Sequence, residues 1–539
     1  MVSLLLEAGA SQDAVDSFGW TAKEIATFRG HIATAGLFET SSPSIRLQDS
    51  DVRKLMPVDY TIARLDTGQK AILATLGFST GSWLTLEIHA PGSTKEAHRV
   101  HLPILADESD EQLMFPIPEN DDAHLVFRIF RRDTESCQEE VLLGSGIAVL
   151  ESGISHLGLN RQSLVREHVV VVLDRRSMQP MGTILFSYVI AKPFPGLSTS
   201  KDKGGPKTPA PILVGHRGLG QNTASQDYLQ IGENTIQSFL SAWSVLHVQI
   251  TRDLEAVIYH DFCLSEYGTD LPIHDMTLDQ YLVAGSRQSP RGPAVSILEG
   301  PNGEVKNDHS RRRARSLDLR DDVSLAQLHD RMKHTVDFRS KGFKPNARGE
   351  CIQDSFTTLE EILIKLPGHI GFNIEIKYPR LHEAADAGLP PIAIELNTFI
   401  DTALTKIQRF GGTRPIILSS FTPEVCMLLA LKQQAYPVMF ITNAGKLPMT
   451  DLNKMAASVQ VAVRFARRWK LAGLVFACEP MLLCPRLVQV VQAAGLKCGS
   501  YGLPNNEPKN AKLQAKAGVD LLFADRVGLI AKALEDVKK

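Results

Sequence analysis

The sequence predicts a multidomain chain that ends in an α/β barrel of the (β/α)8 type, preceded by a β-sandwich and a short helical segment. Three observations predict this. At 539 residues the chain exceeds what one hydrophobic core supports, and about 150 residues per domain gives three or four units. After residue 210, eight short apolar runs alternate with helical patterns, as in a parallel α/β fold. From Val58 to Ile190 the runs are instead strand-like and broken by turn residues.

Composition excludes several classes. The chain is 43% hydrophobic and 22% charged, with a net charge of −2, as expected of an ordinary globular protein with no global pull toward nucleic acid or anionic membranes. Its seven cysteines form no C-x-x-C pair and no metal-finger spacing. The closest pair, Cys478 and Cys484, reads as buried thiol in a reducing compartment. No apolar run approaches the roughly 18 residues of a membrane helix. The start, MVSLLLEAGA, lacks a basic region and is interrupted by Glu7, so it is not a secretory signal. A cytoplasmic location, with the nucleus as a second one, is expected.

Residues 1–40 read as the end of a helical repeat. LLLEAGASQDAVDSFGWTAKEIATFRGH (Leu4 to His31) resembles an ankyrin repeat in its Leu-Leu, its turn glycine and its Gly-x-Thr-Ala…Ala…Gly-His pattern. Leu6-Glu7 recurs as Phe38-Glu39, near the period of about 33 residues. One repeat cannot bury its own face, so a start inside a repeat predicts further sequence upstream.

Residues 55–195 form the expected β-rich domain. ILATLGF, WLTLEIHA, HLVFRIFR, HVVVVLDR and GTILFSYVIA are its strands, separated by Pro91–Ser93, Pro118–Asp121 and Glu151–Gly153. This antiparallel sandwich resembles C2 domains. Asp107, Asp110, Asp121 and Asp122 are candidate calcium ligands there, although solvated loop acids are the preferred reading. Residues 196–210, GLSTSKDKGGPKTPA, are a linker.

The barrel is expected over 211–537. Its runs are Ile212–His216, Leu246–Ile250, Gly371–Ile376, Pro415–Ser420, Val438–Thr442, Gly473–Ala477, Lys497–Tyr501 and Leu521–Asp525. Helical patterns lie between most of them, at Pro391–Phe410, Pro423–Gln434, Leu452–Trp469, Pro485–Ala494 and Pro508–Ala517. In such a barrel chemistry sits at the C-terminal strand ends, where His216, Glu375, Ser419, Tyr501 and Asp525 fall. Residues 284–325, with the run RRRARS at 311–316, interrupt the rhythm as a polar insertion.

Four clusters carry chemistry. ILVGHR places His216 and Arg217 at a strand end, with Gly218 and Gly220 letting backbone approach a ligand. Glu233-Asn234-Thr235 precedes an amphipathic pattern, with Asn234 or Thr235 as helix cap and Glu233 at the rim. AVIYHDF ends in His260-Asp261. GFNIEIKYP carries Glu375 and Lys377 on one face. Two histidines with pKa values near neutrality suit displacement at a phosphodiester: one activates the nucleophile, the other protonates the leaving alkoxide. Arg217 and Lys377 would neutralise phosphoryl oxygens.

HRG, GENT…SF, YHDF and NIEIKYP resemble the motifs of the glycerophosphodiester phosphodiesterase family, and GLPNNEPKNAKLQAKAGVDLLFADRV at 502–527 is similar to its closing loop and last strand. The resemblance covers about Pro211 to Val537. It implies a TIM barrel that cleaves glycerophosphodiesters such as glycerophosphocholine to glycerol 3-phosphate and an alcohol. By motif, His216 and His260 are the catalytic acid and base, Arg217 and Lys377 bind phosphate, and Glu233 and Glu375 hold a divalent metal, Mg2+ or Ca2+. With the ankyrin segment and the β-rich domain, the layout is similar to large fungal members of the family. One departure stands out. The family's second strand carries Glu-x-Asp as metal ligands; in SFLSAWSVLHVQITRD, Val245 and His247 take those positions and a few preceding residues are missing. A real loss and a gene-model error both account for this. A second reading follows from it: a regulator of phosphate starvation, resembling ankyrin-containing inhibitors of a cyclin-dependent kinase complex and acting through protein partners.

Overall fold

The computed structural model describes residues 1–38, 69–77, 84–102, 112–119, 122–132, 140–150, 158, 160–195, 211–223, 230–240, 243–265, 267–288, 330, 332–342, 351–352, 355–447 and 451–535. The linker at 196–210, the run at 311–316, and Asp107, Asp110 and Asp121 lie outside them.

The N-terminal segment is a small helical unit. Its first helix, Val2–Glu7, buries no residue, and Leu4 and Leu5 are exposed. The helix Ala22–Phe28 starts with a capping box in which Thr21 Oγ1 accepts from Glu24 N and the Glu24 carboxylate accepts from Thr21 N. This unit leans on the barrel. Arg486 donates to Gly19 O and lies 3.2 Å from the Glu24 carboxylate, with its guanidinium over the Trp20 ring.

Nine strands follow among the described residues: β1 Gln69–Gly77, β2 Leu84–His89, β3 His98–Leu102, β4 Leu113–Pro118, β5 His124–Arg132, β6 Glu140–Val149, β7 Arg161–Ser163, β8 Glu167–Asp174 and β9 Pro180–Ala191. Eight of them pair in the order β3-β2-β5-β6-β8-β9-β1-β4. β6 and β8 meet over just two residue pairs, Gly144↔Asp174 and Ser145↔Leu173. The sheet is therefore two four-stranded halves hinged at one corner. Alternating side chains from both halves, among them Leu86, Phe127, Phe115, Val172 and Phe186, share one core. The runs recognised in the sequence are β1, β2, β5, β8 and β9; β3, β4, β6 and β7 are additions, since β3 (HRVHL) and β7 (RQS) lack apolar alternation.

The barrel closes with eight parallel strands: Ile212–Gly215, Trp243–Ile250, Phe372–Ile376, Ile416–Ser420, Val438–Thr442, Gly473–Ala477, Lys497–Tyr501 and Leu521–Ala524. The first strand pairs with both the eighth (Ile212↔Leu521) and the second (Val214↔Trp243), which completes the ring. Val214, Val245, Ile417, Met439, Val475 and Phe523 fill its interior. Side-chain caps start the outer helices. Glu395 accepts from Asn397 N and Thr398 N ahead of Leu396–Phe410, and Ser458 accepts from Val461 N ahead of Val459–Arg468. Cys478 and Cys484 are buried free thiols.

Three expectations change. No helix follows Glu233-Asn234-Thr235; the chain makes a 3-10 turn, Gln237–Phe239, and reaches the second strand at Trp243. Asn234 itself has φ +58, incompatible with a helix cap. The connection is too short for a helix of several turns. His260-Asp261, expected at a barrel-strand end, instead follows a ninth strand, Ala256–Ile258, which folds back antiparallel on the second (Val248↔Ile258). The helix Leu278–Gln288 also runs into the expected insertion, whose residues 289–325 lie outside the described ones.

The sandwich is tied to connections at the C-terminal face of the barrel. β7 pairs antiparallel with Ile392–Ile394, in the connection after the third barrel strand. Arg161 donates to His274 O and Asp275 Oδ1, both at 2.7 Å, in the connection after the second. Asn397 bridges Ile190 O and Lys192 N. Among the described residues, no helix is long and apolar enough to cross a membrane.

Candidate active site

The first and second barrel strands and the returning ninth strand bring His216, His247 and His260 together. Their ring centroids lie 5.3 Å (His216–His247), 5.7 Å (His216–His260) and 4.6 Å (His247–His260) apart.

His216 follows the first strand and turns Nδ1 to Asp525 Oδ1 at 2.9 Å, at the end of the eighth strand. Asp525 also accepts from Gln221 N and from Asn506 Nδ2, both at 3.0 Å. Burial would raise its pKa, but the hydrogen bonds from His216, Asn506 and Gln221 hold it well below the usual carboxylate range. Asn506 is fixed in turn, its Oδ1 accepting from Asp525 N and Arg526 N. Gly220 permits this closure: a Cβ there would stand 2.0 Å from Asp525 O. In the sequence Asp525 is legible only as a strand-end acid; the Asn505-Asn506 pair in the neighbouring loop is the signal for its role.

His260 rests Nδ1 on Asp261 Oδ1 at 2.9 Å. Its pKa is held well below 6.5 by burial and by the charges of Arg217 and Lys377, which outweigh Asp261. His247, fully enclosed, is likewise held well below 6.5 by burial and by its histidine neighbours. Its Nδ1 faces Asn234 Oδ1 and its Nε2 faces Glu375 Oε2, each at 3.4 Å. Burial raises the pKa of Glu375, against the pull of Lys377, whose Nζ is 3.8 Å away.

Arg217 and Glu233 are placed differently from these. Arg217 is 4% exposed and its guanidinium donates to Glu233 Oε1 at 2.5 Å, while Glu233 Oε2 accepts from Asn222 N. Neither lines the central cleft. The Arg217 charge, after burial, is among the causes that hold the His260 pKa down.

The cleft, of about 250 Å3, is lined by His216, His247, His260, Asn373, Glu375 and Asp525 together with apolar walls from Val245, Phe421, Tyr501 and Phe523. Asn373 is 1% exposed, and neither end of its amide has a hydrogen-bond partner. A second compartment of about 330 Å3 meets the first at His260 and contains Asp261, Phe262, Asp270, Asp337, Lys377, Glu383 and Asp386. Lys377 Nζ lies 4.9 Å over the Phe262 ring there.

A hard divalent cation seeks oxygen ligands. The two carboxylates expected to hold it do not make such a set: both oxygens of Glu233 are engaged, and Glu375 faces an imidazole nitrogen. Among the described residues, the group of three or more metal-binding side chains within mutual reach is His216, His247 and His260. The donor set does not fit Mg2+ or Ca2+.

Comparison with known proteins agrees with this architecture. Residues 40–195 match the GDE1-like C2 domain. Residues 216–529 match the glycerophosphoryl diester phosphodiesterase family. The glycerophosphocholine phosphodiesterase GDE1 of Eremothecium gossypii is 36% identical over 420 residues, covering 74% of this chain and 32% of that protein. The GDE1 of Candida albicans is 37% identical over 412 residues, covering 73% and 35%. The mouse glycerophosphocholine phosphodiesterase GPCPD1 is 27% identical over 436 residues, covering 76% and 58%. The chain thus spans about a third of the length of these two GDE1 relatives. With more than half of its residues matched, the chain belongs to the glycerophosphoryl diester phosphodiesterase family.

Proposed function

We propose that this chain hydrolyses a glycerophosphodiester to glycerol 3-phosphate and an alcohol. One observation carries the reading: His216 and His260 face a single cleft, each with Nδ1 on a carboxylate. A carboxylate only accepts, so each ring keeps its proton on Nδ1 and turns Nε2 toward the cleft. One histidine takes a proton from the attacking water as the water oxygen bonds to phosphorus. The other, protonated, gives its proton to the leaving alkoxide as the second P–O bond breaks. Each then holds the other's starting protonation state, and exchange with water resets the pair.

Lys377 lines the second compartment and lies 3.8 Å from Glu375 on the wall of the first, and it neutralises a non-bridging oxygen. Asn373, with a free donor and acceptor, is placed to hydrogen-bond the glycerol part or the phosphoryl group. Arg217 strengthens anion binding through its charge. The second compartment, where five carboxylates face one lysine, suits a positively charged alcohol, and the relatives named above are glycerophosphocholine phosphodiesterases. The sandwich and the helical unit hold the loops around this cleft.

Release of glycerol 3-phosphate from glycerophosphocholine by the purified chain tests the proposal, with His216→Ala and His260→Ala as controls. Folded protein that releases none, with glycerophosphoethanolamine and glycerophosphoinositol also inert, defeats it.

A further inference from the structure

Three imidazoles crowd this cleft where acid–base exchange needs two. His216, His247 and His260 can each offer a ring nitrogen such that all three nitrogens lie within 4.8 Å of one another. On every ring Nδ1 faces an oxygen: Asp525 Oδ1 at 2.9 Å, Asn234 Oδ1 at 3.4 Å and Asp261 Oδ1 at 2.9 Å. The Asn234 amide is itself oriented, since its Nδ2 faces Glu233 Oε1. Two carboxylates and a carbonyl can only accept, so Nδ1 carries the hydrogen and Nε2 keeps its lone pair. Metal-bound histidines are held in this way, with an oxygen on the far nitrogen fixing tautomer and ring plane. A fourth donor stands beside them, because Glu375 Oε2 lies 3.4 Å from His247 Nε2. An unprotonated nitrogen and a carboxylate oxygen repel at that separation unless a proton or a cation is shared between them.

We propose that His216, His247 and His260, with Glu375 as fourth ligand, form a binding site for a divalent ion of the zinc class: Zn2+, Co2+ or Ni2+. Imidazole nitrogen suits these ions, whereas Mg2+ and Ca2+ seek oxygen. Zinc–nitrogen bonds of about 2.0–2.1 Å place tetrahedral ligand nitrogens about 3.4 Å apart. The rings therefore draw inward slightly on binding. His216 and His260, with side chains 28% and 24% exposed, have the freedom to do so, while enclosed His247 is the fixed point.

The site does not depend on the hydrolytic reading. Its consequence for that reading is inhibition, since the ion takes the nitrogens through which His216 and His260 would exchange protons.

The test uses the full chain stripped with chelator and titrated with Co2+ alone, then Zn2+ alone. Expected are one Co2+ per chain with the strong visible absorption of a four- or five-coordinate nitrogen site, displacement by Zn2+, and a raised melting temperature. His247→Ala abolishes the absorption. His247→Gln, closer in volume, does the same if the alanine variant does not fold. Asp261→Asn, which removes an orienting oxygen, weakens Co2+ binding about 10- to 100-fold. The proposal is overturned if Co2+ gives the weak spectrum of six oxygen ligands, if Mg2+ competes equally with Zn2+, or if folded His247 variants bind as tightly as the native chain. Glycerol 3-phosphate release, measured on the same preparations with and without metal, reports on hydrolysis separately.

Discussion

Asp525→Ala removes the group that holds His216 while leaving the imidazole itself in place. Three donors converge on this carboxylate, His216 Nδ1 at 2.9 Å, Gln221 N at 3.0 Å and Asn506 Nδ2 at 3.0 Å. Without it the ring loses both its tautomer and its direction, and rotates away from the productive line. A positioned acid or base contributes about 10^2- to 10^4-fold, which corresponds to about 2.7–5.5 kcal/mol of barrier. The variant is therefore expected to lose that factor in kcat for glycerol 3-phosphate release. KM changes far less, because Asp525 acts through His216. Asp525→Asn should fall between the two. Its single amide oxygen can accept from His216 or from Asn506, but not from both sides, and Asn506 cannot turn because its own oxygen accepts from Asp525 N and Arg526 N. Steady-state kinetics, with nitrogen NMR of the His216 ring as a readout independent of turnover, check this. An Asp525→Ala enzyme with native kcat and an unchanged His216 tautomer would refute the reasoning.

Other expectations follow from the same geometry. Lys377→Met keeps the side-chain length and removes the charge; losing one charge-assisted contact of about 1.5–3 kcal/mol lowers kcat/KM about 10- to 100-fold, and an unchanged value would remove Lys377 from phosphate binding. The folded pKa of His247 lies below 6.5, so below pH 6.5 the unfolded chain binds a proton that the folded chain refuses. Stability then falls as pH drops, by about 1.4 kcal/mol per pH unit for this one histidine. His260 adds in the same sense. Glu375, raised above 4.5, acts oppositely, its contribution fading as pH rises through its folded pKa. Urea midpoints at pH 7.5 and 5.5 check this, and the slope should flatten in His247→Asn. Gly30 has φ +82, and a Cβ there would stand 2.1 Å from Ala457 O; Gly30→Ala, strained by about 1–3 kcal/mol, should loosen the N-terminal unit and speed its proteolysis ahead of the barrel.

Much of this protein was legible in its residues. The eight barrel runs and the strand-end positions of His216 and Glu375 follow from apolar periodicity and from turn residues, which are local properties. The sandwich was equally readable where Val, Ile and Phe alternate. What stayed hidden depends on meetings across the ring. Asp525 stands 309 residues from His216, and no spacing rule links them until the eighth strand closes on the first. Arg217 looks like a phosphate ligand in HRG; the fold buries it against Glu233 and leaves its field to act. His247 was readable as a substitution in the second strand, but its company was not. Parallel pairing sets it opposite Glu375, and the returning strand Ala256–Ile258 carries His260 alongside. Sequence determined which chemical groups this cleft contains. Barrel closure decided which of them touch, because register between distant strands, and not spacing along the chain, sets those distances.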